Sequence, residues 1–112
     1  MPIELTILGK SPSWTDAGGA CSGYLVRAPG LTLVLDCGSG VFAKLRRVEE
    51  YARVDAVLLT HLHADHVLDL VPFAYALCHG AAAGRARPLL HAPPAARGAL
   101  RALCGAWGSA AC

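Results

Sequence analysis

The sequence has few charged residues, since Asp, Glu, Lys and Arg make up 16% of its 112 residues against roughly 25% in an average soluble domain. Ten basic and eight acidic side chains leave a formal net charge of +2, which is too small and too scattered to predict nucleic-acid binding from charge alone. Hydrophobic residues make up 54%, so the chain has enough apolar area to offset the entropy of ordering. This length fits one domain or part of one.

Long hydrophobic runs are also missing. The longest apolar stretch, 67–78, contains Asp69 and Pro72 and is shorter than the roughly 18 residues that a membrane span requires. The amino-terminal segment has no basic part ahead of an apolar core, so neither a membrane partner nor a secretory leader is expected.

Cysteine occurs an odd number of times, and no two cysteines form a C-x-x-C pair. This pattern predicts reduced thiols rather than a disulfide framework, and therefore a cytoplasmic protein. The five cysteines are Cys21, Cys37, Cys78, Cys104 and Cys112.

Hydrophobic periodicity predicts a chain of the α/β class with the element order β-β-β-α-β-α-β-α. The second and third strands are expected to form a hairpin through the turn Pro29-Gly30. The fourth strand is nearly continuous in apolar residues, so it is expected to be buried on both faces. The predicted strands cover residues 3–8, 20–28, 31–36, 54–60 and 88–91.

Three helices are predicted between and after these strands. The second helix, over 67–79, is apolar almost all round and should be heavily buried, with a kink allowed at Pro72. The third begins after the two prolines at 93–94 and ends near Ala106. The first is amphipathic, and four apolar residues share its buried face: Val41, Leu45, Val48 and Tyr51.

The segment that follows the fourth predicted strand reads THLHADH. His61 and His63 are two residues apart, so in an extended segment both rings project to the same side and can bind one metal ion, while Leu62 faces the core. Asp65 and His66 lie at the start of the next helix and can point towards a second ion. Imidazole nitrogens and a carboxylate oxygen suit Zn²⁺, with Mn²⁺ or Fe²⁺ as alternatives.

This string resembles the H-x-H-x-D-H signature of the metallo-β-lactamase superfamily. The segments LGKSPSWTDAGGACSGYLV and LVLDCGSG resemble the branch that holds ribonuclease Z and the cyclic-nucleotide phosphodiesterases. The resemblance extends from Ile3 to about Leu103. It implies that the chain is the N-terminal half of an αββα sandwich.

The resemblance also implies roles for individual residues. His61 and His63 are similar to the ligands of a first zinc, and Asp65 and His66 to ligands of a second. In the family a water or hydroxide between the metals attacks the substrate, and Asp65 is expected to help as a catalytic residue by handling a proton. Asp36 resembles an Asp that braces the metal loop through hydrogen bonds more often than it binds metal.

The motif does not identify the substrate, because family members with this signature act on thioesters, lactones and β-lactams. The hairpin and the Asp-Cys-Gly turn favour a phosphodiesterase acting on a small-molecule or nucleotide phosphodiester. A cyclic nucleotide is favoured over a tRNA precursor, since the chain shows no basic arm.

The chain departs from the family pattern because a complete member adds a third His for the first metal, a bridging Asp and a further His for the second. The later histidines are His79, expected at a helix end on the surface, and His91, expected not to be a ligand. Each metal would then have two protein ligands where catalytic zinc normally has three. Residues 1–112 are therefore expected to form a single partial domain, truncated at its C-terminus, whose activity alone is doubtful.

The inner face of the sheet is expected to lack its covering layer and to leave an apolar patch. The missing C-terminal half, or a homodimer, would cover it. The alternative to a hydrolase is a non-catalytic metal-binding or assembly fragment that needs a partner chain.

Overall fold

The computed structural model describes residues 2–81, 83–84 and 88–107. Its strands and helices follow the predicted order, except that two helices lie between β4 and β5 where one was predicted. The strands are β1 Glu4–Gly9, β2 Gly23–Ala28, β3 Leu31–Leu35, β4 Ala56–Leu58 and β5 Leu89–His91. The helices are α1 Val41–Val48, α2 Ala64–Val67, α3 Leu70–His79 and α4 Ala96–Trp107, and a short 3-10 helix, Tyr51–Arg53, precedes β4.

One sheet joins the strands in sequence order, β1-β2-β3-β4-β5. The first three strands are antiparallel, and β3, β4 and β5 run parallel. The predicted hairpin is confirmed, with Ala28 paired to Leu31 and Gly30 at a φ of 75° in its turn, a conformation that suits glycine. The carboxyl ends of the parallel strands meet at one edge of the sheet, so the loops after β3 and β4 lie side by side there.

The core lies on the sheet face that the helices cover. Leu25 and Val34 project from β2 and β3 into this core, and both are 0% exposed. The rings of Phe42 in α1 and Phe73 in α3 stack with their centroids 4.9 Å apart. Burying each of these large apolar side chains contributes about 1.5–3 kcal/mol relative to leaving it exposed.

The opposite face of the sheet is apolar and has no covering layer among the described residues. The cross-strand register places Leu5, Ile7, Leu58 and Leu89 on this face, which we call the open face. Leu5 is 60% exposed and Leu58 is 38% exposed. The expectation that the fourth strand is buried on both faces is therefore wrong, because helices cover only one of them.

The apolar segment predicted as one helix over 67–79 is two helices, α2 and α3, with a break at Leu68 and Asp69. The Asp69 carboxylate accepts a hydrogen bond from the backbone N–H of Phe42 at 2.7 Å, and its own N–H donates to Cys37 at 3.0 Å. These long-range bonds hold the break in place. Pro72 lies in the first turn of α3, and a proline disrupts helical hydrogen bonding to the residue four positions earlier, which here is Leu68, at the break.

Two further expectations about the helices need correction. The second predicted helix is not heavily buried, since Phe73 is the buried residue of α3 and Tyr75 and Leu68 are exposed. In the first helix Val48 is exposed, because α1 ends there and the chain turns away.

The cysteines differ among themselves. Cys21 and Cys37 are free and buried, as the sequence predicts, whereas Cys78 is disulfide-bonded, so the expectation of reduced thiols is wrong at that position. Across the described residues, no helix has both the length and the apolar character that crossing a membrane requires.

Candidate metal centre

The histidine segment lies at the carboxyl edge of the sheet, between β4 and α2. His63 has an extended backbone (φ −63°, ψ 144°) directly before α2 begins, and Leu62 packs against the core as predicted. The ring centroids of His61 and His63 are 4.7 Å apart, and those of His61 and His66 are 4.1 Å apart. The structure thus brings the three imidazoles of the motif together on one side of the segment.

Asp36, which follows β3, is the buried anchor of this segment and is 4% exposed. Its Oδ1 accepts a hydrogen bond from the Thr60 backbone N–H at 2.8 Å, and the Thr60 hydroxyl lies 3.0 and 2.9 Å from its two oxygens. The Nδ1 of His66 lies 2.9 Å from Oδ2. A buried carboxylate is stable only when its oxygens are paired, and these contacts pair them. Asp36 therefore has the contacts of a brace, as expected.

Asp65 lies in the first turn of α2 beside His66, and its side chain is partly exposed. Its Oδ2 accepts a hydrogen bond from the backbone N–H of Ser13 at 3.2 Å. Desolvation raises the pKa of the Asp65 carboxyl, but backbone N–H groups, Ser13 first, and the nearby His66 and His63 lower it, and the resulting pKa is below the ordinary value. Asp65 is consequently ionised at neutral pH, the state that a metal ligand needs.

The turn after Asp36 packs directly against the start of α2. A Cβ on Gly38 would lie 2.0 Å from the carbonyl oxygen of Asp65, so only glycine fits there. The neighbouring Cys37 N–H donates to the His66 carbonyl at 2.8 Å. Burial, followed by the charges of Asp69 and Asp36, raises the pKa of the Cys37 thiol, which therefore stays protonated and unreactive.

Several of these contacts could not be found from local sequence patterns. Ser13 and Gly38 are ordinary loop residues in sequence, and their contacts with Asp65 depend on how distant loops meet at the sheet edge. For Gly38 the sequence did offer a signal, because the Asp-Cys-Gly turn resembles the family. That resemblance did not indicate that Gly38 packs against another segment.

The remaining histidines lie apart from the motif in sequence. His79 is the exposed last residue of α3, and its ring centroid is 6.0 Å from that of Tyr75. This is the helix-end surface position expected from the sequence. His91 ends β5 with an exposed side chain, while its carbonyl accepts a hydrogen bond from the Leu59 N–H at 2.8 Å.

The donor atoms fit part of a metal site. Because Nδ1 of His66 is bonded to the Asp36 carboxylate, its Nε2 carries a lone pair, and this atom lies 3.5 Å from Oδ2 of Asp65. Two electron-pair donors at this separation suit one zinc ion at bond lengths of about 2.0–2.2 Å. Hydrogen bonding of the other ring nitrogen to a carboxylate is the usual support of a histidine ligand.

The set is nevertheless incomplete. Within the residues that the structure describes, no group of three or more His, Cys, Asp or Glu side chains is arranged to hold a metal ion. The imidazole nitrogens and the carboxylate of these residues are donors of the kind that suits zinc.

Comparison with known proteins agrees with this fold and motif. The sequence model of the metallo-beta-lactamase superfamily matches residues 16–100. The chain belongs to the metallo-beta-lactamase superfamily.

Its sequence relatives include proteins named as hydrolases. The probable metallo-hydrolase YhfI of Bacillus subtilis is 35% identical over 83 residues, which are 74% of this chain and 34% of YhfI. A ribonuclease Z of Mycolicibacterium gilvum is 46% identical over 69 residues, or 61% of this chain and 24% of that enzyme. The chain thus spans about a quarter to a third of these relatives.

Solved structures show the same relationship. The crystal structure of YhfI superposes with a TM-score of 0.82 at 30% identity, covering 92% of this chain and 43% of YhfI. The short form of human tRNase Z superposes with a TM-score of 0.76, covering 91% of this chain and 39% of that chain, and at 22% identity this likeness shows the fold alone. The predicted fold class, part of a metallo-β-lactamase sandwich, is confirmed.

Proposed function

We propose that the chain is the N-terminal, metal-binding part of a metal-dependent hydrolase, with zinc as the favoured ion. The observation that carries this proposal is the cluster of His61, His63 and His66 beside an ionised Asp65, tied to the sheet by Asp36. Membership of the metallo-beta-lactamase superfamily supports it.

In this proposal His61 and His63 hold one ion, and Asp65 and His66 hold a second. Two zinc ions bound there would supply an acidified water and a positive field for the developing charge on the substrate oxygens. Asp65 has a second role as the group that accepts a proton at its carboxylate, and the Ser13 N–H orients that carboxylate. Asp36 and Thr60 keep the histidine segment in place.

Completion of the site requires more than these residues. Catalytic zinc normally has three protein ligands, and the motif offers two for each ion. We propose that residues 1–112 form a single partial domain, and that the remaining ligands and the layer over the open face come from a C-terminal half like that of the longer relatives. Little activity is expected from the chain alone.

A phosphodiester is the favoured substrate, either a small molecule or a nucleotide. Relatives named ribonuclease Z support this class. A cytoplasmic location is part of the same proposal; the free thiols of Cys21 and Cys37 agree with it, and the disulfide of Cys78 does not.

The alternative proposal is a non-catalytic metal-binding or assembly fragment that needs a partner chain. The open face favours it, because a monomer rarely exposes a contiguous apolar patch of this kind. The partner would be a second copy of the chain or a separate chain that supplies the second sheet.

A chimera separates the two proposals. The chain would be joined to the C-terminal part of B. subtilis YhfI and assayed on bis(p-nitrophenyl) phosphate with zinc, beside the same chimera carrying His61→Ala and His63→Ala. The hydrolase proposal expects zinc-dependent hydrolysis in the first chimera and none in the second. A folded chimera that binds no zinc and hydrolyses nothing would favour the assembly fragment.

Native mass spectrometry of the chain alone complements the assay by reporting metals per chain and oligomeric state together. The wild-type chain is expected to bind zinc, and the double variant is expected to lose the ion that His61 and His63 hold. Equal zinc binding by both chains would overturn the assignment of the ligands.

A further inference from the structure

We propose that Thr60 is a positioning residue that selects the tautomer of His61. The Thr60 hydroxyl lies 2.9 Å from the Nδ1 of His61 and within 3.0 Å of both oxygens of Asp36. One hydroxyl thus joins the buried carboxylate to a ring that the carboxylate does not itself touch. The functional consequence of this inference rests on the proposed metal site.

The tautomer follows from counting protons. A hydroxyl has one hydrogen, and an ionised carboxylate only accepts hydrogen bonds. If Thr60 donated to His61 instead, its oxygen would face the Asp36 oxygens at 2.9–3.0 Å with no proton between them, which is repulsive. The hydroxyl therefore donates to Asp36 and accepts from His61, so the His61 ring carries its proton on Nδ1.

A neutral imidazole with its proton on Nδ1 has its lone pair on Nε2. His61 consequently offers Nε2 to a metal. His66 is held in the same tautomer, since its Nδ1 lies 2.9 Å from Asp36 Oδ2. Asp36 therefore prepares one ligand of each proposed ion, His66 directly and His61 through Thr60.

The chain offers a matched pair of substitutions. Thr60→Val removes the hydroxyl and keeps the side-chain shape, and Thr60→Ser keeps the hydroxyl. Both retain the backbone N–H that donates to Asp36, so the segment keeps that anchor. Thr60 is exposed, and neither change disturbs the core.

The direct test is proton–nitrogen correlation spectroscopy of the histidine rings in the metal-free, isotope-labelled chain, with His61 assigned from a His61→Ala spectrum. The wild-type chain and Thr60→Ser are expected to show His61 protonated on Nδ1, and Thr60→Val is expected to gain the Nε2-protonated form. His66 should keep its Nδ1 proton in all three chains. A wild-type His61 protonated on Nε2, or a Thr60→Val spectrum identical to wild type, overturns the inference.

Zinc affinity, measured by competition with a chromophoric chelator, gives the second readout. Thr60→Val should bind zinc about tenfold more weakly, at the low end of the range for residues that support a ligand, and Thr60→Ser should bind like wild type. If the tautomers follow the expectation and the wild-type chain binds no zinc, the proposed function fails while the role of Thr60 stands. If zinc binds and the tautomers differ, the inference fails and the metal site stands.

Discussion

The two faces of the sheet are both apolar, yet they differ completely in what covers them. Leu25 on the helix-covered face is 0% exposed, and Leu5 in the neighbouring strand, on the open face, is 60% exposed. The histidine segment is anchored from the covered side, through Leu62 in the core and Asp36 at the end of β3. The difference separates two roles: the covered face anchors the histidine segment, and the open face is the surface on which the proposed C-terminal half would pack.

The largest expected effect is on stability, from a matched pair of truncations. Leu25→Ala leaves a cavity in the core and should lower the free energy of unfolding by about 2–5 kcal/mol. Leu5→Ala, at an exposed site, should change it by about 0.5 kcal/mol or less. Urea denaturation followed by circular dichroism measures both. If both substitutions lowered the free energy of unfolding equally, the open face would be buried in solution. The comparison of the two faces would then fail.

Zinc should stabilise the chain through the segment anchored on the covered side. At a free zinc concentration a hundred times the dissociation constant, binding raises the free energy of unfolding by about 2.7 kcal/mol. Removal of zinc with a chelator should reverse this gain. Gly38→Ala should abolish the gain, because the new Cβ displaces the start of α2, and Leu5→Ala should keep it. A zinc effect that survives Gly38→Ala would place the ion elsewhere.

The open face should make the chain self-associate as its concentration rises. Sedimentation velocity is expected to show a growing average mass for the wild-type chain. The double substitution Ile7→Lys and Leu89→Lys puts charge at both ends of this face and should keep the chain monomeric. Substitution of an exposed residue elsewhere, such as Arg47→Ala, should leave the association unchanged. A wild-type chain that stays monomeric at every concentration would contradict self-association through the open face.

The smallest expected effect is on the chemical modification of the buried thiols near the histidine segment. Cys37 is buried with a raised pKa, and Cys21 is also buried, so a thiol reagent should modify neither in the folded chain. Mass spectrometry after alkylation checks this, with the denatured chain as the control. Because the Cys37 pKa is shifted upwards, a moderate rise in pH should not start the reaction. Fast alkylation of Cys37 in the folded chain would show that the turn beside α2 opens.

Much of the fold could be predicted because it is encoded in short-range patterns. The alternation and turn residues predicted the hairpin, and the spacing of His61 and His63 predicted that their rings share one side, as the ring distance of 4.7 Å shows. The kink allowed at Pro72 was the local signal for the break, but the position of the break at Leu68 and Asp69 depends on a hydrogen bond with a distant segment. The end of α1 at Val48 was not predicted.

Residue patterns in the sequence were thus enough to predict the order of the strands and to single out His61, His63, Asp65 and His66 as candidate ligands, and a resemblance supplied the family. What required the folded chain was the network around them: Asp36 meets Thr60 and His66 across 24 and 30 residues, and Ser13 meets Asp65 across 52. The physical reason is that side-chain periodicity is local, whereas a hydrogen-bond partner is chosen by strand order. The parallel pairing of β3 with β4 brings Asp36 beside Thr60, and no local pattern in either segment specifies that pairing.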